Sequence, residues 1–596
     1  MILRTSVPLP FLGLTVLVLL LVAKGPTRQD QASQYYAATP KTIVELQQYR
    51  QTTSVSLGLR AGTETIATLI NLNPGINVWY LLRVGSRDGK SSVAWHIENP
   101  SPRESRFFLD AGFTSGIVIA QDRNRHNCEL FGASSPNTLE RARTSQVAYV
   151  PLCGGRVYLR NPVKGRRTAL ESVTEFLRDE VWGGERAVVL FHHLMADRYR
   201  EAGELVPEST TARLSSPENK GTDHPLAAAI DPQYANRLVK AWNLGIELHQ
   251  GSPEKGGMTP GAWYETAADP GIHVSVMQPA FVASAILQSY RSVVNSLDPV
   301  EAQSLAYLLA FDTDQFELNY ALGTQHPEVR WSDRVTKEMR KPKMPGPDGI
   351  GTIEPLVSTG LVRPDNRRRT VASFTGGFKR THGAFKFGKL ASQNQGSHYG
   401  FIENGVVLSK LQPGLATVFA LDDGSIGMKT WAESDNALLS RIRHARQNGV
   451  PIVQFDNSSQ TTVPGPLVNL WGPGNWSGSE DEKLRTIRAG LAMQTNHGKR
   501  YLIYAVFSDA TPSAMARVFQ AYRCDYAMLL DMNALEHTYL ALYRRSGDEL
   551  SVDHLLKGMS ELDQSASHDS VPRFLGFSDN RDFFYMMRRV TGKAKP

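Results

Sequence analysis

Along this chain the spacing of apolar and polar positions changes character several times, and each change marks a different kind of element. Residues 501–507 (YLIYAVF) are a short apolar run rich in aromatic and β-branched side chains, the pattern of a buried strand. Ser508, Asp509 and Thr511 follow with oxygens able to cap a helix, and Pro512 suits the first helical position, where a missing N–H costs nothing. Met515, Val518, Phe519 and Tyr522 recur at helical spacing, so one face of that helix packs on a sheet. A second apolar run, 526–530 (YAMLL), delivers Asp531 to its carboxyl end. Open αβ sheets gather ligands there, although the same carboxylate would equally serve to cap the next turn.

The rest of the chain divides by the same criterion. Between 66 and 159 short strand candidates (76–84, 92–97, 106–109, 116–120, 146–151 and 156–159) alternate with turn signals, which reads as a sandwich. Trp79, Tyr80, Trp95 and His96 lie within it, either as a platform for stacking sugars or as the sandwich core. After Asn161 the pattern turns helical: 168–181, 187–199, 232–248, 279–297 and 298–309 read as helices, with a Gly-, Pro- and Ser-rich linker over 207–271. Further on come a strand at 371–374, hairpins around Asn404-Gly405 and Asp423-Gly424, and a helix over 435–448 stopped by Gly449. A strand at 450–455 then delivers Asp456 and Asn457, and a long loop covers 461–480. The fold class expected is therefore α+β, with a β-rich sandwich-like domain at 31–165, a helical and linker region at 166–310 and a mixed αβ domain at 311–596.

Composition adds a location. Residues 5–23 carry no charge and 11–23 (FLGLTVLVLLLVA) are almost continuously apolar, the pattern of a signal peptide or a retained membrane anchor within residues 1–30. The chain is thus expected to be exported, periplasmic or extracellular, with a single N-terminal anchor if the segment is kept. Cys128 and Cys153 could pair in an oxidising compartment, and Cys524 reads as a buried small hydrophobe. The net charge of +7, from 65 basic against 58 acidic residues, is a small excess over a large surface and gives no argument for nucleic acid.

Candidate chemistry clusters in two places. Thr375-Gly376-Gly377-Phe378 is followed by Lys379, Arg380 and His382, setting cationic donors beside exposed backbone. That suits a phosphate or other anion, while a solvated basic turn would read the same way. Around Asp531 the segment DMNALEH adds Glu536 and His537, a donor set for a hard divalent cation or the solvated face of a helical turn.

These residues carry a resemblance. The region from about 312 to 584 resembles the phosphodiester glycosidase domain family, whose signature comprises Asn-Gly-Gly-Phe after a strand, a central Arg followed by small residues and Gly, and Leu-Asp-Gly-Gly-Gly-Ser. Thr375-Gly376-Gly377-Phe378 matches the first with Thr for Asn, Arg488-Ala489-Gly490-Leu491 the second, and Leu530-Asp531 the start of the third, whose glycines and serine are replaced. The resemblance implies a hydrolase that cleaves a sugar from a phosphodiester or acts on a related envelope polysaccharide. Arg488 would clamp the phosphate. Thr375, Lys379, Asp456 and the Gly376-Gly377 amides would hold substrate, and Asp531 would act as acid, base or metal ligand, with His382 a second proton carrier. Where the chain departs from the family's glycines, Asp531, Glu536 and His537 form a polar cluster of its own that could hold a divalent cation, act catalytically or be a solvated turn, so the cofactor is left open. The lost glycines keep a second expectation open, a catalytically degenerate glycan-binding or envelope scaffold protein.

Overall fold

The computed structural model describes residues 41–60, 63–89, 91–131, 137–168, 171–172, 203–205, 224–251, 256–325, 328–470, 484–565 and 570–590. These are mostly β, arranged in several antiparallel sheets. The expectation of an α+β fold with a helical linker region is thereby overturned. The segment read as a helix over 232–248 holds only a 3-10 turn, Pro232–Tyr234, and two-residue strands at Val239–Lys240 and Leu244–Gly245. Of 279–297, the helical part is Pro279–Phe281 and Ser284–Gln288. Asp298 does cap a helix, but it ends at Gln303 and Ala306–Asp312 is a strand. The run read as a helix over 435–448 gives a 3-10 turn, Glu433–Leu438, and then a strand, Ile442–Gln447. That strand hydrogen-bonds on both sides, to Phe401–Glu403 and Ala416–Leu421, and pairing from two neighbours outweighs a modest helical propensity. The apolar stretch 5–23, the reading of a helix at 187–199, and most of 168–181 lie outside the described residues. Among the described residues no helix is long and apolar enough to cross a membrane.

The N-terminal strands form a six-stranded antiparallel sheet facing a three-stranded one, Ser105–Asp110, Phe113–Gln121 and Asn124–Glu129. Leu69, Tyr80, Leu82, Ile97, Phe107, Ile117, Ile119 and Leu159 fill the space between them. Trp79, Tyr80 and His96 are buried, so they line the interior and do not form an exposed platform. A disulfide joins Cys128 to Cys153, with Cα atoms 5.6 Å apart, and Cys524 is buried and free.

The larger part of the chain is built on an eight-stranded sheet. Its central order is Ala306–Asp312, Lys499–Ala510, Thr486–Asn496, Tyr526–Met532 and Pro451–Asp456. Helix Pro512–Ala521 crosses from Lys499–Ala510 to Tyr526–Met532; these strands run the same way with the antiparallel Thr486–Asn496 between them. Thr511 caps the helix by accepting the Ala514 N–H at 3.2 Å, and every residue of the helix is buried. A side chain at Gly490 would lie 2.9 Å from Met515 and 3.0 Å from Phe519, so that glycine is what lets the helix lie close on the sheet. On the opposite face, Phe374 of a second, six-stranded sheet packs on Phe311 and Tyr504. Strands Thr370–Thr375 and Phe583–Arg588 of that second sheet are antiparallel partners, with Thr375 opposite Phe583.

Candidate active site

Where those two strands meet, at the exit of Thr370–Thr375 and the entry of Phe583–Arg588, charged side chains converge between the sheets. Residues 579–582 (DNRD) lead into the second strand. Arg581 donates from Nη1 to Asp531 Oδ2 at 2.7 Å, and from Nε to Glu171 Oε1 at 3.0 Å. Lys379 Nζ and Asn580 Nδ2 reach the same Glu171 oxygen at 3.2 and 3.1 Å. One guanidinium thus bridges two carboxylates, and all three residues are 3% exposed or less.

A third contact of Arg581 fixes a tautomer. Its Nη2 lies 2.7 Å from His537 Nε2, and a guanidinium has no lone pair to offer, so the imidazole nitrogen accepts. His537 Nδ1 then carries the proton and donates to the Met532 carbonyl at 2.7 Å. His537 is in turn held through its own carbonyl, which accepts from Thr375 Oγ1 at 2.8 Å.

The environment drives the two carboxyls apart. Burial raises Asp531 to about 6; Arg581 and the Met532 N–H pull the other way, and the neighbouring Asp582 adds to the rise. Burial acts on Glu171 too, but Arg581 and Lys379 together outweigh it and hold that carboxyl well below its usual range. Asp531 is ion-paired and still raised, because burial outweighs the pull of Arg581. The site therefore joins a carboxyl held low to one raised to about 6, the division of labour that acid–base chemistry uses.

Two acceptors in the cluster remain open. Glu171 Oε2 and Asn580 Oδ1 are buried and accept no hydrogen bond from the described residues. Buried acceptors of this kind normally find donors, and a polyhydroxyl ligand carries many.

The glycines serve packing here. Neither Gly376 nor Gly377 has a positive φ. A side chain at Gly376 would lie 2.5 Å from the Asp582 carboxylate, and one at Gly377 2.9 Å from the Asn448 amide. Asp582 accepts from Arg446 Nε and from Tyr320, both at 2.8 Å. Asn448 accepts the Phe378 N–H at 3.2 Å and donates to the Leu529 and Leu530 carbonyls. The Thr375-Gly376-Gly377-Phe378 turn is thus tied directly to the strand that carries Asp531. The Gly376 N–H itself donates to the Asp582 carbonyl at 2.9 Å, not outward to an anion.

Of the residues singled out in the sequence, the structure brings Asp531, Lys379, His537, Thr375 and Gly376-Gly377 together. Arg488 stands elsewhere. It lies opposite Met532 in the strand register and donates to the Ala510 and Leu484 carbonyls at 2.8 and 2.9 Å. The register shifts between Arg488 and Gly490, and the side-chain contacts part company there: Arg488 reaches Met532 and the Ala510 and Leu484 carbonyls, whereas Asp531 reaches Arg581. The expected phosphate clamp by Arg488 beside Asp531 is not formed. Asp456 ends a strand antiparallel to Tyr526–Met532, at the far end from Asp531, and accepts from Ser458 and Ser459 of its own turn. Arg380 turns away to Asp348, Ser409 and Tyr399. His382 sits half-buried at the end of the 3-10 turn Arg380–His382. The expected cation triad does not converge: Asp531 and His537 both meet Arg581, and Glu536 accepts from Thr168 at 3.4 Å.

Sequence reasoning missed Glu171, Asn448, Asn580, Arg581 and Asp582. Only the last three carried a local signal, a charged run set directly before the apolar strand Phe583–Arg588.

A second buried charge cluster lines a cavity of about 1110 Å³ that includes residues of the sandwich and of the larger part of the chain. Arg160 donates to Glu98 at 2.6 Å, Arg363 reaches the same carboxylate at 2.8 Å, and Arg160 stacks 4.4 Å from the Trp79 ring. Burial pushes Glu403 up to about 8 there, with Arg160 opposing, while Arg160 and Arg363 overcome burial at Glu98 and lower it.

No family model matches the chain, and no curated protein matches it. Among solved structures it is similar to the catalytic domain of zebrafish N-acetylglucosamine-1-phosphodiester alpha-N-acetylglucosaminidase auto-inhibited by its pro-peptide. That likeness has 9% identity and a TM-score of 0.26, over 54% of this chain and 85% of that one. It is also similar to a Burkholderia pseudomallei K96243 protein described as exported, with 10% identity and a TM-score of 0.15, over 50% of this chain and 76% of that one. At these values neither neighbour assigns an activity to this chain.

Proposed function

We propose that this chain is an exported, glycan-directed hydrolase that cleaves a sugar from a phosphodiester or a related envelope polysaccharide. The observation that carries the reading is the pair of carboxyls on one guanidinium, Asp531 raised to about 6 and Glu171 held ionised. In this reading Asp531 is the proton-transfer group, acting as base in the ionised form that keeps its bonds to Arg581 and the Met532 N–H. Arg581 and Lys379 supply the positive charge that meets a phosphodiester, in the place first given to Arg488. Glu171 Oε2 and Asn580 Oδ1 would take hydroxyl donors from the sugar. Export is supported by the apolar stretch 5–23 and by the Cys128–Cys153 bridge, since such bridges persist in oxidising compartments.

The test is release of free sugar from a panel of sugar phosphodiesters by the purified full chain. Wild-type turnover that Asp531→Asn removes supports the proposal. A correctly folded protein inert across the panel opposes it.

A second reading, a glycan-binding protein without turnover, draws on one observation. Arg488 is engaged with backbone carbonyls, and Met532 stands beside it where the resembling family has glycine. That reading expects saturable polysaccharide binding with no product.

A further inference from the structure

At the edge of the eight-stranded sheet a different donor set comes together. Strands Tyr264–Thr266 and Asp269–Met277 form a hairpin in which Glu265 and His273 are direct cross-strand partners, so both side chains project from one face. His224 closes on them from a separate segment. Its Nδ1 lies 3.1 Å from His273 Nε2, and the two rings meet edge to face at 84°. One donor atom from each of His224, Glu265 and His273 falls within 4.8 Å of the others, and His273 is 2% exposed.

We infer that His224, Glu265 and His273 form a binding site for a divalent transition metal of the zinc class. Two imidazole nitrogens and a carboxylate are a ligand set this ion accepts, and three protein ligands leave a fourth position for water. Nitrogens bound at about 2.0–2.1 Å around a tetrahedral ion stand roughly 3.3 Å apart, close to the spacing already present between the two rings.

His224 is held in place through its backbone and that of Leu226. The His224 carbonyl accepts from Asn496 Nδ2 at 2.7 Å, and Leu226 exchanges hydrogen bonds with the Gln494 side chain at 2.7 and 3.0 Å while its carbonyl also accepts from Trp263. Pro225 between them favours extended backbone at His224. An ion here would staple the segment entering at His224 to the edge hairpin and to the strand Thr486–Asn496 beneath it. Asp269–Met277 and Tyr526–Met532 are four strand positions apart, roughly 19 Å, so this site is separate from Asp531 and does not depend on the function proposed for it.

The full chain, freed of metal by chelator and dialysis, would be titrated with Co²⁺, followed by visible absorption, and with Zn²⁺, followed by metal analysis and melting temperature. One ion per chain is expected, with a rise in melting temperature on adding Zn²⁺. His224→Gln and Glu265→Gln are half-buried, near-isosteric changes, and each should weaken binding by about tenfold or more with an unchanged circular dichroism spectrum. Absence of stoichiometric binding would overturn the inference. So would binding that survives both substitutions, or binding that only Asp531→Asn removes.

Discussion

The two buried charge clusters of this protein are built from the same parts and arranged to different ends. Around Asp531 one arginine bridges two carboxyls, and one of them is raised while the other is lowered. Around Arg160 the same holds: Glu98 is lowered and Glu403 is raised. A perturbed carboxyl therefore does not by itself mark an active site. What distinguishes the Asp531 cluster is what surrounds the raised group: a histidine of fixed tautomer on the same guanidinium, a lysine, and two buried acceptors awaiting donors. At the Arg160 cluster the arginine is stacked on Trp79, and Glu403 accepts the Leu322 N–H at 2.9 Å. Arg363 on Glu98 and Arg160 on Glu403 join sandwich to body there.

The widest test of the comparison is to remove each arginine. Arg581→Met and Arg160→Met each strand two buried carboxyls, and each is expected to cost about 3–5 kcal/mol in chemical denaturation. A negligible cost at Arg581 would mean that it does not hold its cluster together.

Next, Glu171→Gln leaves Arg581 to Asp531 alone. Asp531 should then ionise more readily, moving the pH midpoint of activity down by about one pH unit. An unmoved midpoint would uncouple the two carboxyls.

Glu403 gives the opposite cluster a pH signature of its own. Its folded value of about 8 lies above the unfolded 4.5, so between those limits the folded state binds the extra proton and stability falls as pH rises. Glu403→Gln cannot lose that proton and should be more stable than wild type at pH 8 by about 1–3 kcal/mol, with turnover unchanged, as read by thermal melts at pH 5 and 8. Equal pH dependence in both proteins would remove Glu403 from the account.

The smallest effect is expected at Asp456. It caps its own exposed turn, so Asp456→Ala should alter stability by about 0.5 kcal/mol and activity by less than about twofold. A large loss of substrate affinity would return it to the binding set named from the sequence.

What was legible in the sequence follows from the range of the forces involved. Helix Pro512–Ala521 and its flanking strands were readable because cap, proline and apolar spacing agree locally. Strand Ile442–Gln447 was not, because its two hydrogen-bonded neighbours lie elsewhere in the chain. Glu171 shows the limit most clearly: its bond to Arg581 spans 410 residues, and nothing near Glu171 announces it. Asn533 after Asp531 holds φ 83°, a conformation that asparagine tolerates better than most residues.

In the proposed reaction Asp531 is a base that must be ionised to work. The pH dependence of kcat/KM for the proposed release of sugar from a phosphodiester would report that ionisation in the unliganded protein. The expected profile falls as pH drops through about 6, and Asp531→Asn lowers the plateau by on the order of 10²-fold while removing that limb. A profile flat between pH 4.5 and 7, or a limb near 6 that survives in Asp531→Asn, would contradict it.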